Sequence, residues 1–388
     1  MFTEAILKEN SKLLDVATKL HQNGEIFPDT YVIDLEQLGI NTKNFSEKAD
    51  QLGLEAFYMT KQLGRNPEVA KRIVESGLEK AVVVDYREAE VLMDNGLKIG
   101  HIGNLVQVPQ TFLERVIRYG VDYISVFSIE KLKLINKISK ENGITQKILL
   151  RVVDEGDNVY PGQTAGFNIS ELPKLAKEIL QLENISVKGC TSFPCILFDE
   201  KEDKFTPTHN ADTVIKATQI LNDNGINATE LNMPSATCYE SLDLLKEMGA
   251  TQVEPGHGLS GSTPMNAAKE MNGKISYCYV SEVSHNFEGK AYAYGGGYYR
   301  RGLLKTGLIP EKNRYRKVKM NKIDSTNIDY YLEIDQEEDV GETVLMSFRT
   351  QIFVTRSNVA IVDGIQSGNP RLVGIYDSQG KKLKGGIL

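Results

Sequence analysis

The sequence predicts an α/β protein made of a (β/α)8 TIM barrel followed by a C-terminal β domain. Between residues 55 and 257, eight short β-branched or aromatic runs alternate with longer amphipathic stretches, the pattern of successive βα units. Eight such units is the count of a closed barrel. After Gly261 the texture changes to closely spaced strand-like runs separated by turns, with little helical periodicity. No G-x-G-x-x-G turn follows an early strand, which argues against a doubly wound sheet.

The expected strands are, in order, EAFYMTK (55–61), KAVVVDY (80–86), KIGHIGNL (98–105), YISVFS (123–128), KILLRVVD (147–154), VKGCTSF (187–193), ELNMPS (230–235) and QVEPGH (252–257). Between them, helices are expected over 67–76, 111–119, 129–142, 170–181, 211–222 and 241–248, several opened by a Pro, Ser or Asp start signal. ISYCYVSEVS, KAYAYGGGYY, IDYYLEI, ETVLMSF, QIFVTRS and NVAIVDG read as strands of the second domain. The expected boundaries are 1–262 for the barrel, with a lead segment 1–54, and 263–388 for the β domain.

A chain of 388 residues has room for two cores. Its hydrophobic fraction of 41% and charged fraction of 25% exclude a disordered protein. A net charge of −7 with mixed signs gives no footprint for nucleic acid or an anionic membrane, and the basic run 314–322 reads as a solvated edge. No 18-residue apolar run is present, and the first residues, MFTEAILKENSK, lack the apolar core of a signal peptide. Cys190, Cys195, Cys238 and Cys278 match neither a zinc ribbon nor a disulfide framework. A cytoplasmic protein without a metal site is expected.

Barrel enzymes place their chemistry at the C-terminal ends of the strands. Lys61 closes an otherwise apolar strand, and the following helix is delayed by Gly64-Arg65-Asn66-Pro67. On position alone it reads as a lysine snorkelling from the barrel mouth; the sharper reading is a desolvated amine able to form an imine with a carbonyl cofactor. The last strand runs into Val253-Glu254-Pro255-Gly256-His257-Gly258-Leu259-Ser260-Gly261, and Ser235 ends the strand before it. Each end alone is an ordinary tight turn, but adjacent Gly- and Ser-bearing strand ends suit a phosphate. Glu254, one step inside, reads either as a salt-bridged barrel carboxylate or as the partner of a protonated ring nitrogen.

These residues resemble the fold-type III pyridoxal-phosphate enzymes, whose members include alanine racemase, ornithine racemase and the basic amino-acid decarboxylases. The likeness spans essentially the whole chain and is strongest to the YhfX branch of alanine-racemase-like proteins, through FYMTKQLGRNP, LVQVPQTF, YPGQTAGF, EPGHGLSG, YGGGYYRRG and RTQIFVTRS. It implies a barrel of alanine racemase type holding pyridoxal 5'-phosphate as a Schiff base on Lys61. It also implies phosphate donors in the backbone N–H groups of Gly256 and His257 and in the hydroxyl of Ser235, with Thr237 beside it. His101 and Asn104 become pocket residues by likeness to small cofactor-carrier relatives, and Tyr294 takes the place of a second catalytic base. Three departures stand out. Glu254 occupies the place of an arginine in alanine racemase and is similar to the decarboxylase E-P-G-R element; Ser192 replaces a histidine usually set against the ring; Gln163 replaces an arginine near the phenolic oxygen.

The resemblance implies a two-base racemase or epimerase acting on an amino acid, with Lys61 and Tyr294 on opposite faces and Tyr294 supplied by the partner chain of a homodimer. Glu254 favours a decarboxylase instead, although the C-terminal cysteine–aspartate element of those relatives is missing. A metal-assisted D-amino-acid lyase is disfavoured because only His285 follows Cys278 as a soft ligand. A non-catalytic cofactor carrier is also open, though carriers of this fold are short single barrels. Arg65, Arg349 and Arg356 are candidates to receive a substrate carboxylate, though such arginines are more often surface or interdomain ion pairs, and Gln163 is a further candidate substrate residue.

Overall fold

The computed structural model describes residues 2–312, 314–324 and 326–383. The chain forms two compact units, one of residues 44–59 with 77–256 and one of residues 1–43, 60–76 and 257–388.

The first unit is a closed barrel of eight parallel strands: Glu55–Tyr58, Lys80–Val83, Ile99–Ile102, Tyr123–Val126, Gln146–Val153, Ile185–Thr191, Glu230–Asn232 and Gln252–Val253. All eight expected strands form, in order. Each pairs with its neighbours in chain order, and Gln252–Val253 closes the ring on Glu55–Ala56. The strands read as near-continuous apolar runs because parallel strands in a barrel are covered on both faces. Phe57, Val82, Tyr123 and Leu149 form an interior cluster. Gly100 leaves the space for it, since a Cβ there would stand 2.3 Å from the Phe57 ring. Helices follow where caps start them: Asp85 accepts from the Glu88 N–H to open Tyr86–Asp94, and Ser128 accepts from Lys131 N–H to open Ile129–Glu141.

The two ends of the barrel differ in chemistry. At the N-terminal ends Lys80 meets Glu55 at 3.2 Å and Asp122 at 2.6 Å, and Gln252 donates to Glu55 at 3.1 Å. These are partly exposed pairs of the stabilising face. The buried His101–Glu254 pair lies toward the other end.

The second unit is built on a mixed sheet. Its strand Thr30–Asp34 runs between Tyr277–Phe287, antiparallel to it, and Asn358–Asp363, parallel to it. The lead segment expected to accompany the barrel therefore contributes its first 43 residues to the sheet unit. The physical reason is burial: TYVID is buried at every position, and Phe2, Ile6, Leu13, Leu14 and Ala17 from the first two helices pack with Val32, Val280 and Ala360. Tyr277–Phe287, Lys290–Tyr294, Tyr331–Ile334, Thr343–Met346 and Asn358–Asp363 match expected strands. QIFVTRS does not form one; Ile352–Val354 is a 3-10 turn, with Ile352 buried and Val354 exposed. Strands Thr306–Glu311, Arg314–Lys319 and Arg371–Tyr376 were not expected. The basic run becomes Arg314–Lys319, the last strand in the sheet order, with Arg316 on Glu338 at 2.7 Å and Lys319 on Asp335 at 2.7 Å. Such pairing keeps an edge charged and soluble. All four cysteines are buried with free thiols. Among the described residues no helix is long and apolar enough to cross a membrane.

Candidate active site

Within the barrel unit, the C-terminal strand ends converge on a buried polar cluster. His101, in the third strand, contacts Glu254 Oε1 through Nδ1 at 2.6 Å and Ser125 Oγ through Nε2 at 2.6 Å. Asn232, ending the seventh strand, donates to the same Glu254 oxygen at 3.1 Å, and Thr191 donates to Asn232 at 2.7 Å. A carboxylate only accepts, so the His101 proton on this side sits on Nδ1. The side chains of His101 and Glu254 are 0% and 3% exposed. A carboxylate placed that deep, and satisfied by donors from two other strands, is organised to face a positive group.

Beside this cluster Arg151, within the fifth strand, donates from Nη1 to the Asn104 carbonyl at 3.2 Å and to Asn104 Oδ1 at 3.1 Å. Its Nε has no partner among the described residues, and burial lowers its pKa against the opposing pull of nearby anions. Ser192 is fully buried and accepts from Asn210 at 3.0 Å. Ser235 and Ala236 both take positive φ, 103° and 46°, and Thr237 donates to the Ser235 carbonyl at 3.3 Å. Two consecutive non-glycine residues in that region mark a strained strand end, a feature that clusters at ligand sites. Gln163 lies in the loop after the fifth strand, its Oε1 buried without a partner among the described residues. Gly256 is the last residue of this unit and is partly exposed.

The sheet unit carries a second group. Lys61 opens the 3-10 turn Lys61–Leu63, closed by Gly64 at φ 74°. A Cβ on Gly64 would press on Ile352 and Val359 at 3.1 and 3.2 Å, so glycine is required there by both conformation and space. His257 opens the short helix His257–Ser260. Its Nε2 faces the Arg349 Nε–H at 3.4 Å and the Gln351 amide at 3.0 Å, and its Nδ1 faces Ser262 Oγ at 2.8 Å. Burial, then the charges of Arg349 and Lys61, push the His257 pKa well below its usual value. Gly261, at φ 64°, lies so close to Lys274 that a Cβ would be 2.1 Å from its carbonyl. Glycine is required at this motif position by backbone packing.

Tyr294 ends the strand Lys290–Tyr294 and is 37% exposed. Its hydroxyl has no partner among the described residues; its ring lies 6.0 Å from that of Tyr331. Arg65 is buried, donates to Gln379 Oε1 at 2.7 Å and lies over the Phe353 ring at 4.9 Å. Arg356 donates to the Ile328 carbonyl at 3.3 Å and to the Asp329 carbonyl. Both arginines are engaged by their own unit, while Arg349 is half-buried and meets no carboxylate among the described residues.

Residues 33–264 match the family described as alanine racemase, N-terminal domain, and residues 278–372 match YhfX-like, C-terminal domain. The chain belongs to the alanine racemase-like family. It is 42% identical to the uncharacterized protein YhfX of Escherichia coli (strain K12) over 385 residues, covering 99% of this chain and 100% of that one. Among solved structures, D-threonine aldolase from Filomicrobium marinum aligns with a TM-score of 0.67 at 16% identity, covering 91% of this chain and 94% of that one. Alanine racemase of Clostridium difficile 630 aligns with a TM-score of 0.63 at 17% identity, covering 90% and 98%. At such identities the alanine racemase-like fold is shared, and a racemase and an aldolase both carry it.

Sequence reasoning did not single out Arg151, Ser125, Asn232, Gln351 or Ser262. Arg151 had a signal, a lone charge inside the apolar run KILLRVVD. Ser125, Asn232 and Gln351 are recognisable only through partners distant in sequence, and Ser262 through the turn that sets it against His257.

Proposed function

We propose that this alanine racemase-like chain is a pyridoxal-phosphate-dependent amino-acid racemase or epimerase. The observation that carries the reading is the buried Glu254–His101–Asn232 cluster at the C-terminal strand ends. The residues present fit the cofactor: a buried carboxylate suits a protonated ring nitrogen, the strained Ser235–Ala236 turn suits a phosphate, and Arg151 retains an unused buried N–H. Lys61 would hold the cofactor covalently, with Gly256, His257, Ser235 and Thr237 about its phosphate, Glu254 at its ring nitrogen, and His101, Asn104 and Ser192 lining the ring pocket. Once bound, it would supply an electron sink for charge developing at the substrate Cα.

The chain's own groups would manage the proton. Lys61 removes it from Cα on one face, and Tyr294 of a partner chain returns one on the other. Support for the second role is the exposed position of Tyr294 and its unengaged hydroxyl, together with the family resemblance, which also implies the homodimer. His101 positions Glu254, as a histidine wedged between Ser125 and the carboxylate fixes which oxygen faces outward.

Decarboxylation is the second reading, favoured by Glu254 in place of the alanine racemase arginine. One experiment separates the readings. Protein loaded with pyridoxal 5'-phosphate is reduced with borohydride and mapped by peptide mass, then unreduced protein is screened with D- and L-amino acids for loss of optical rotation and release of carbon dioxide. A label on the Lys61 peptide with loss of rotation supports the racemase, and carbon dioxide release supports the decarboxylase. A label on another lysine overturns the proposal, and a loaded protein unaltered by any amino acid is a carrier.

A further inference from the structure

We infer that the His257 side chain is a positioning residue that holds Arg349 as the receptor for a substrate carboxylate. The inference rests on the pyridoxal-phosphate reading for the identity of the ligand, and on the sheet unit alone for its geometry.

The arrangement fixes the tautomer. An arginine Nε–H and a glutamine amide nitrogen can only donate. Both face His257 Nε2, at 3.4 and 3.0 Å. That nitrogen is therefore bare, and the ring proton sits on Nδ1, where Ser262 Oγ accepts at 2.8 Å. Ser262 is itself held, 2.9 Å from Ser260 Oγ and beside the phenol of Tyr277, whose hydroxyl donates to the Phe348 carbonyl at 2.7 Å. The chain from Tyr277 to His257 leaves no freedom for the imidazole to turn over.

The charges agree with this. Lys61 and Arg349 are the two cations acting on His257, and both disfavour a third positive charge. A neutral histidine is the only form that can accept from Arg349. Arg349 has no carboxylate among the described residues and a neutral histidine as its acceptor, so its own charge is left for an anion. Gln351 Oε1 is buried without a partner, so its amide is anchored only by its nitrogen. Arg349 contacts His257 through Nε, which leaves its Nη groups for a planar oxyanion, and a carboxylate matches that fork. The chemistry beside Lys61 calls for an anion of that kind on an amino acid. His257 thus acts through Arg349, by aiming the guanidinium.

Two measurements test this. In protein labelled with 15N, the histidine nitrogen shifts should place the His257 proton on Nδ1 from pH 6 to 9, with or without cofactor. A proton on Nε2, or titration of His257 near its ordinary midpoint, overturns the tether. In cofactor-loaded protein, the change in visible absorbance is titrated with alanine and with ethylamine, which lacks only the carboxylate. Arg349→Gln and His257→Phe should each raise the half-saturating alanine concentration by about tenfold or more and leave ethylamine unchanged, whereas His257→Asn, which keeps an acceptor, should recover part of the loss. Equal losses for both probes, or no rescue by Asn, assign His257 to packing alone and sink the inference. Failure of any cofactor to bind Lys61 sinks the functional reading instead, and the tautomer then decides the tether by itself.

Discussion

The buried cluster in the barrel makes a quantitative demand. Replacing Glu254 with Ala strands the buried His101 Nδ1–H, now 2.6 Å from Glu254, and leaves Asn232 Nδ2, now 3.1 Å from Glu254, only a long contact to Gln252 Oε1 at 3.5 Å. A buried donor deprived of its acceptor costs about 1–3 kcal/mol, so the stranded histidine and the weakened asparagine imply roughly 2–4 kcal/mol. Glu254→Gln keeps an acceptor and should cost about 1–2 kcal/mol. His101→Leu removes one donor, so Glu254→Ala should be cheaper in that background, with a coupling of about 0.5–3 kcal/mol. Two compact units need not unfold together, and the chain has no tryptophan. The suitable assay is therefore hydrogen exchange, following peptides over 99–102 and 252–256 in cofactor-free protein. Loss of protection confined to those strands, largest for Ala, is expected. Strictly additive effects of the two substitutions would refute the network.

Three other predictions concern the sheet unit and the assembly. Burial, outweighing the hydroxyls of Tyr279 and Ser357, raises the Asp29 carboxyl to about 6. Folding then takes up a proton, so this group's stabilising effect is fully present below about pH 4 and lost as pH rises through about 6, roughly 3 kcal/mol in all. Asp29→Asn should flatten the fall in urea midpoint between pH 4.5 and 7, and an unaltered slope would count against the assignment. Gly261→Ala places a methyl 2.1 Å from the Lys274 backbone at a φ of 64° and should destabilise by more than about 2 kcal/mol; a denaturation midpoint equal to wild type contradicts it. Mixing Lys61→Ala with Tyr294→Phe chains should restore activity that neither has alone, because a heterodimer regains one intact site. No recovery after verified subunit exchange rules out Tyr294 acting across chains.

The barrel was legible because its strands obey a local rule: each is a short apolar run bounded by turn signals, as in AVVV at 81–84. Thr30–Asp34 has the same texture yet belongs elsewhere. Its partners are Tyr277–Phe287 and Asn358–Asp363, more than 200 residues away in sequence, and no local pattern encodes such a pairing. QIFVTRS misled for the opposite reason, since alternation predicts a strand only where a neighbouring strand is present to bond it. The site candidates came from expected strand ends; the structure puts Glu254 directly after Gln252–Val253, but ends Glu55–Tyr58 before Lys61, which opens a 3-10 turn. The site was not legible where one polar side chain exists to orient another. His101 and Glu254 are 153 residues apart, and His257 and Arg349 are 92 residues apart.

The charge placed on each unit bears on the reaction. In the barrel the buried Glu254 carboxylate has its donors supplied; in the sheet unit Lys61 and Arg349 act on a histidine kept neutral. On the pyridoxal-phosphate reading proposed above, Glu254 would hold the ring nitrogen protonated and the cofactor would be the stronger electron sink. Negative charge at Cα would then persist longer, and the outcome would depend on which proton donor reaches it first. A lone Lys61 would return the proton to the face it came from, so inversion requires a second donor on the other face. Tyr294, exposed and with its hydroxyl unengaged, is the residue that such a chain would bring to a partner. On that reading Glu254 would make several reactions at Cα accessible, and the proposed second base would decide among them.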